Sequence, residues 1–166
     1  PPTGWLARRR PRRRSDVATI VGAGNITAEM FWRLADEAGD AVILADRDGV
    51  VRFWNHRAES MFGYASDEAL GQSLDLIIPE KYRSRHWEGY HRVMATAQSR
   101  YAAGDLLAVP ALRKDGSTLS IEFTIAPIKN AGGDIEMVGA IVRDVTERFN
   151  RERELRARLA ELERAT

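Results

Sequence analysis

Ala41-Val42-Ile43-Leu44-Ala45-Asp46, Arg47-Asp48-Gly49, Val50-Val51-Arg52-Phe53-Trp54 and Asn55 follow one another without a break. The first run is short and apolar, the triplet signals a tight turn, and the next run is rich in β-formers, so the stretch predicts a hairpin. Asn55 has the side chain to cap a helix that starts just behind it. That helix carries Ala58, Met61 and Phe62 and stops at Gly63. Ser66 opens another helical turn ending at Gly71, and a brief segment over 73–78 is broken by Pro79.

Further along, residues 80 to about 98 hold a helical pattern that only Gly89 interrupts, which predicts the longest helix inside the domain. Three strand-like runs follow, over 105–113, 118–128 and 135–145, joined by Lys114-Asp115-Gly116 and by the turn-rich residues 130–134. They predict an antiparallel meander. Leu119, Ile121, Phe123 and Ile125 alternate with Ser120, Glu122 and Thr124, so one face meets a core. Pro110 lacks an amide hydrogen and marks an edge or a bulge.

Before the hairpin, Asn25 and Thr27 are capping candidates, and Ile26, Met30, Phe31, Leu34, Ala35 and Ala38 recur at helical spacing. This is an amphipathic N-terminal helix, and exposed Met30, Phe31 and Trp32 would favour a partner contact. After the meander, residues 147–164 place Leu155, Leu159 and Leu162 at four-then-three spacing. Glu147/Arg151, Glu152/Arg156 and Glu154/Arg158 stand at i,i+4. The segment reads as the start of a coiled coil or as a surface helix docked on its own sheet.

With 166 residues, 44% hydrophobic and 30% charged, the chain suits one globular domain with an appendage at each end. The expected division is a basic, disordered tail over 1–24, a helix over 25–40, the domain over 41–146 and a terminal helix over 147–166. No apolar run reaches 18 residues and no signal peptide opens the chain, so neither a membrane span nor secretion is expected, and the cytoplasm is. Cysteine is absent, which excludes disulfides, thiolate metal sites and cofactors attached through sulfur. The Asn25-Ile26-Thr27 sequon then has no role. No Met precedes Met30, which predicts a piece of a longer chain.

The net charge of +1 hides an asymmetry. Arg8, Arg9, Arg10, Arg12, Arg13 and Arg14 crowd into the tail, and the remainder is net acidic. Such a run suits phosphate backbones or an anionic membrane. Without an accompanying aromatic or helical pattern, a solvated tail is the favoured reading, and nucleic acid the least favoured partner. Gly22-Ala23-Gly24 begins a dinucleotide-binding pattern, but Thr27 fills its sixth position and no strong strand precedes it. No Walker loop, nucleophile elbow or zinc-protease motif occurs, and no acidic pair is arranged for catalysis, so the chain is not expected to be an enzyme.

Two strands, several short helices, one long helix and three strands is the order of a PAS domain, and local words agree with it. Ala45-Asp46-Arg47-Asp48-Gly49, Trp54-Asn55, Ala58-Glu59 and Phe62-Gly63-Tyr64 resemble the family's opening hairpin and first helix. Arg113-Lys114-Asp115-Gly116-Ser117 is similar to its turn between the third and fourth strands. Asp144-Val145-Thr146 resembles the junction from which PAS domains pass signals to a helix. From about residue 41 to 146, the resemblance implies an α+β fold. Its parts are a five-stranded antiparallel sheet with helices packed on one face, an N-terminal helix and a C-terminal signalling helix. The same fold carries haem, flavins, small acids or nothing.

Without cysteine, the covalent flavin–cysteinyl and thioester photoreceptor branches are excluded. Arg83-Ser84-Arg85-His86 resembles the segment of rhizobial oxygen-sensor haem PAS domains in which a histidine supplies the proximal iron ligand, and His86 fills that position. Helical spacing sets Tyr82, His86, Gly89, Tyr90, Val93 and Ala97 on one stripe, expected to face the cavity. The resemblance implies that Arg92 meets a haem propionate, and that Leu107 stands where the oxygen sensors carry a distal arginine. Phe123 and Ile125 would also line that side. An apolar distal side gives no hydrogen bond to oxygen, which points to redox sensing or to CO or NO. His91 lies about 140° round the helix from His86, so the two cannot share one metal. Beside Trp87 and Met94 it is expected on a packing or dimer face, and His56 on a helix surface.

Three functions are thus open. The first is a sensor whose pocket event passes through Asp144 and Thr146 to the terminal helix and a C-terminal effector or partner. The second is a ligand-free homodimerisation module, and the third a nucleic-acid binder through the arginines.

Overall fold

The computed structural model describes residues 27–96 and 107–164. The arginine run, the tail's other features, Asn25, Ile26 and the junction from Ala97 to the expected strand start at Asp105 lie outside the described residues.

The hairpin forms as expected, from β1 (Ala41–Asp46) and β2 (Val51–Trp54). Gly49 turns the chain at φ +74°, a conformation that costs glycine nothing. Asn55 caps α2 (His56–Phe62), its Oδ1 accepting the Ala58 amide at 2.9 Å, and Gly63 ends the helix at φ +81°. α3 (Ser66–Ala69) and a 3₁₀ turn (Leu74–Leu76) follow, and then α4 (Glu80–Thr96). β3 (Leu107–Leu112), β4 (Thr118–Lys129) and β5 (Ile135–Asp144) complete one five-stranded sheet of order β2-β1-β5-β4-β3, every neighbouring pair antiparallel. Pro110 lies on β3, an edge strand, as its missing donor requires.

The inner face of this sheet carries the core. Ile43, Trp54, Met61, Phe62, Leu119, Ile121 and Val142 are buried together where α2 and α3 cover the sheet. A second cluster, Ala45, Tyr90, Val93, Met94, Ile135 and Val138, lies under α4. The alternation read in β4 holds: Leu119 and Ile121 are buried, and Phe123 and Ile125 are half-buried on the same side.

The N-terminal helix differs from expectation. α1 (Ala28–Asp36) starts after Thr27, whose Oγ1 accepts the Met30 amide, and it ends short of Ala38. None of its residues is buried. It is tied down through Trp32, edge-on to Phe53 with ring centroids 4.8 Å apart, and through Asn55 Nδ2, which donates to the Ala35 carbonyl at 2.9 Å. The terminal helix α5 (Thr146–Arg164) also has no buried residue. Of the three i,i+4 pairs expected on it, the structure records Glu152–Arg156 at 3.3 Å, and Arg148 reaches back to Glu122 on β4.

Candidate functional site

α4 lies across the inner face of the sheet near β1 and β5, and three of its side chains hold it there. Trp87 Nε1 donates to Asp75 Oδ1 at 2.9 Å, Arg83 donates to the Asp75 and Ile78 carbonyls, and the Tyr90 hydroxyl donates to the Asp46 carbonyl at 2.5 Å. The Trp87 ring rests on Gly49, where a Cβ would stand 2.2 Å from it, so only glycine lets helix and hairpin approach this closely.

His86 is half-buried on this face, one turn before Tyr90, with ring centroids 5.7 Å apart and Trp87 at 4.9 Å. Its Nδ1 is buried and has no hydrogen-bond partner. Burial pushes the imidazole below the ordinary histidine range. Asp75 opposes that shift, and His91 adds to it. The ring is therefore held neutral, the form that donates a lone pair to a metal. Tyr90 goes the other way, burial and the nearby Asp46 and Asp48 keeping its phenol protonated.

The structure brings together His86, Tyr90, Val93 and Ile125, with Phe123 on the same sheet face toward the neighbouring core cluster. Leu107 sits opposite Phe123 in the β3–β4 register. Tyr82 and Arg92 are exposed. Of the group expected on a packing or dimer face, Met94 is buried in the core and Trp87 packs on the hairpin. At 100° per residue, Val93, His86, Tyr90, Met94 and Trp87 span an arc of about 120°, which a curved sheet covers whole. His91 is exposed and stacks on Trp87, while exposed His56 pairs with Glu59.

An iron porphyrin is chemically compatible with this lining. A neutral imidazole presents a buried unpartnered nitrogen, its ring contacts are the aromatic Trp87 and Tyr90, among the described residues Asp75 is the one carboxylate acting on it, and Arg92 offers a cation on the same helix. The space itself is filled by Tyr90, Val93 and Met94 against Ala45, Ile135 and Val138.

The second candidate feature is the end of β5. Asp144 Oδ1 accepts the Thr146 amide at 2.9 Å and its hydroxyl at 2.5 Å, capping the turn into α5, and Thr146 Oγ1 accepts the Ser120 amide at 3.0 Å. Asp144 Oδ2 accepts Arg113 Nη2 at 3.0 Å, and Arg113 Nε also donates to the Met61 carbonyl of α2. Sequence reasoning placed Asp144 and Thr146 here but missed Arg113, Trp87 and Asp75. Their partners lie 12 to 52 positions away, beyond any local signal.

The family model for the PAS fold matches residues 29–145. The chain belongs to the PAS family. This PAS chain is 33% identical over 124 residues to the Sensor protein FixL of Bradyrhizobium diazoefficiens, covering 75% of this chain and 23% of that one. It is 26% identical over 127 residues to the Oxygen sensor protein DosP of Escherichia coli, covering 76% and 16%. Among solved structures, the PAS domain of a protein from Colwellia psychrerythraea superposes with a TM-score of 0.63 at 21% identity, covering 72% of this chain and 97% of that one. The chain thus spans less than a quarter of the length of the curated relatives named here. Among the described residues no helix is long and apolar enough to cross a membrane.

Proposed function

We propose that this PAS domain is a cytoplasmic sensor whose occupant, lodged between α4 and the sheet, is haem held by His86, and that occupancy alters how β5 hands off to α5. The observation that carries this reading is the buried Nδ1 of His86, a polar atom with no hydrogen-bond partner, on a ring that touches Trp87 and Tyr90. The name of one relative, an oxygen sensor, agrees with it. When bound, haem supplies an iron that responds to redox state or to a diatomic gas.

The chain's own residues supply the rest. His86 offers a neutral imidazole, Val93 and Ile125 exclude water, and Arg92 lies on the outer side of α4, where a propionate would emerge. Leu107 occupies the position at which the resembling oxygen sensors carry an arginine, and Phe123 adds no donor, so redox change, CO or NO suit this lining better than oxygen. Asp144, Thr146 and Arg113 carry the shift into α5, and output belongs to an effector domain or partner protein beyond it. The test is the visible spectrum of protein reconstituted with haemin. A Soret band that is lost in His86→Ala supports the proposal, and a colourless wild-type protein overturns it.

A second reading, a ligand-free homodimerisation module, is favoured by α1. Met30, Phe31, Trp32 and Leu34 are each more than half exposed, and Ile141 on the outer sheet face is 53% exposed. Light scattering of a chain beginning at Ala41 is expected to show monomer where the full chain shows dimer. An unchanged dimer removes α1 from the interface.

A further inference from the structure

His86 and Tyr90 stand one helical turn apart on the inward side of α4. Tyr90 is only 8% exposed, and its ring, with Val93 and Met94, fills the volume against Ala45, Ile135 and Val138. A planar ligand that reaches His86 from the sheet side must take the space the Tyr90 ring now holds. Side chains in a close-packed interior leave no room for both.

The hydroxyl of Tyr90 is bound to a place where its release has consequences. Its acceptor is the carbonyl of Asp46, the last residue of β1, which also accepts the Gly49 amide at 2.9 Å. Asp46 lies opposite Met137 of β5 in the sheet register, and that pairing runs unbroken from Asp46 and Met137 to Ala41 and Val142. Two residues beyond Val142, Asp144 caps α5. Tyr90 therefore joins the ligand space to the strand that ends at the output helix.

We infer that Tyr90 is the specificity-determining plug of the site: its packed ring stands in the ligand space, and its hydroxyl must leave the Asp46 carbonyl before a ligand seats at His86. This rests on the reading that His86 holds haem. The bound state is then favoured only by ligands whose contacts outweigh the lost hydrogen bond and displaced ring. Binding thereby becomes a two-state change that β1 and β5 register.

Tyr90→Phe tests this cleanly, since it keeps the ring volume, and the Asp46 carbonyl retains the Gly49 amide as a donor. Haemin is titrated into the full 166-residue chain and the Soret absorbance followed. Y90F is expected to bind roughly 3- to 10-fold tighter than wild type, because the hydrogen bond no longer has to be broken. A residue that merely packs the site would leave affinity unchanged or weakened, and either result overturns the plug while leaving the haem reading standing. A wild type and a Y90F that both stay colourless overturn the haem reading and the plug with it. If Y90F does not fold, 3-fluorotyrosine placed at position 90 gives the same decision by fluorine NMR. A shift on haemin addition toward the solvent-exposed value supports release, and an unmoved resonance overturns it.

Discussion

Arg113 grips Asp144 from the turn after β3, its Nη2 3.0 Å from Oδ2, while its Nε holds the Met61 carbonyl at the end of α2. One guanidinium therefore ties the cap of α5 to α2, the helix that covers the core. A fork of rigid donors does this better than a single ammonium could. Asp144 keeps its other oxygen for Thr146, so the cap and the tie are separable.

Arg113→Met is expected to release α5 without unfolding the domain. The loss is one partly exposed charge-assisted hydrogen bond, one to a carbonyl and a long one to the Ser117 hydroxyl, roughly 1–2 kcal/mol. Hydrogen exchange should quicken at residues 145–149 and stay unchanged in α4. Uniform quickening across the domain would refute the specific tie.

Asn55 is fully buried and uses all four of its hydrogen-bonding positions. Oδ1 accepts the Val42 and Ala58 amides at 2.9 Å each, and Nδ2 donates to the Ala35 and Asp40 carbonyls. Asn55→Ala leaves these groups unpaired at the meeting point of α1, β1 and α2, a loss of roughly 3–4 kcal/mol. Urea unfolding checks the size. Exchange in α1 should rise more than in α4, since two of the four bonds hold the segment that leads from α1 into β1.

Gly49→Ala combines a positive φ with a Cβ 2.2 Å from the Trp87 ring. The ring must move, and with it the Trp87–Asp75 hydrogen bond that seats α4. A destabilisation of roughly 2–3 kcal/mol is expected, with a red shift of tryptophan emission. Gly71→Ala, at a similar φ but with nothing within 4 Å, should cost less.

The pH dependence follows from His86. Its folded-state pKa is depressed, first by burial, so below about 6.5 the unfolded chain takes up a proton that the folded one resists. Stability from this residue is complete above that pH and is lost as pH falls toward the depressed value. Thermal midpoints measured from pH 7.5 to 5.5 should fall more steeply in wild type than in His86→Gln. Equal slopes would show that the imidazole titrates freely.

Much of this was legible in the chain itself. The hairpin, the Asn55 cap, the Gly63 stop, the edge position of Pro110 and the alternation of Leu119 to Ile125 all follow from rules that act within a few residues. The Asp144-Val145-Thr146 junction was legible only through its resemblance to the PAS family, and the capping contact between Asp144 and Thr146 came from the structure. The face of α4 was only half legible. Spacing put His86, Tyr90 and Val93 toward the cavity but left Met94 and Trp87 between a packing and a dimer face, since periodicity gives an axis and not the width of the surface that covers it.

The residue pattern by itself determined that this chain builds two strands, short helices, a long helix and three strands. Backbone propensity, caps and alternation are local and add up along the chain. Only the tertiary structure decided that Arg113 would find Asp144 and that Trp87 would need Gly49. It alone set the Tyr90 hydroxyl on the Asp46 carbonyl, 44 positions away. Those contacts depend on how a twisted sheet brings distant segments together, and no local rule carries that information. Hence the order of elements and the His86–Tyr90 stripe could be read from the chain, whereas the seating of the Tyr90 hydroxyl on the hairpin required the fold.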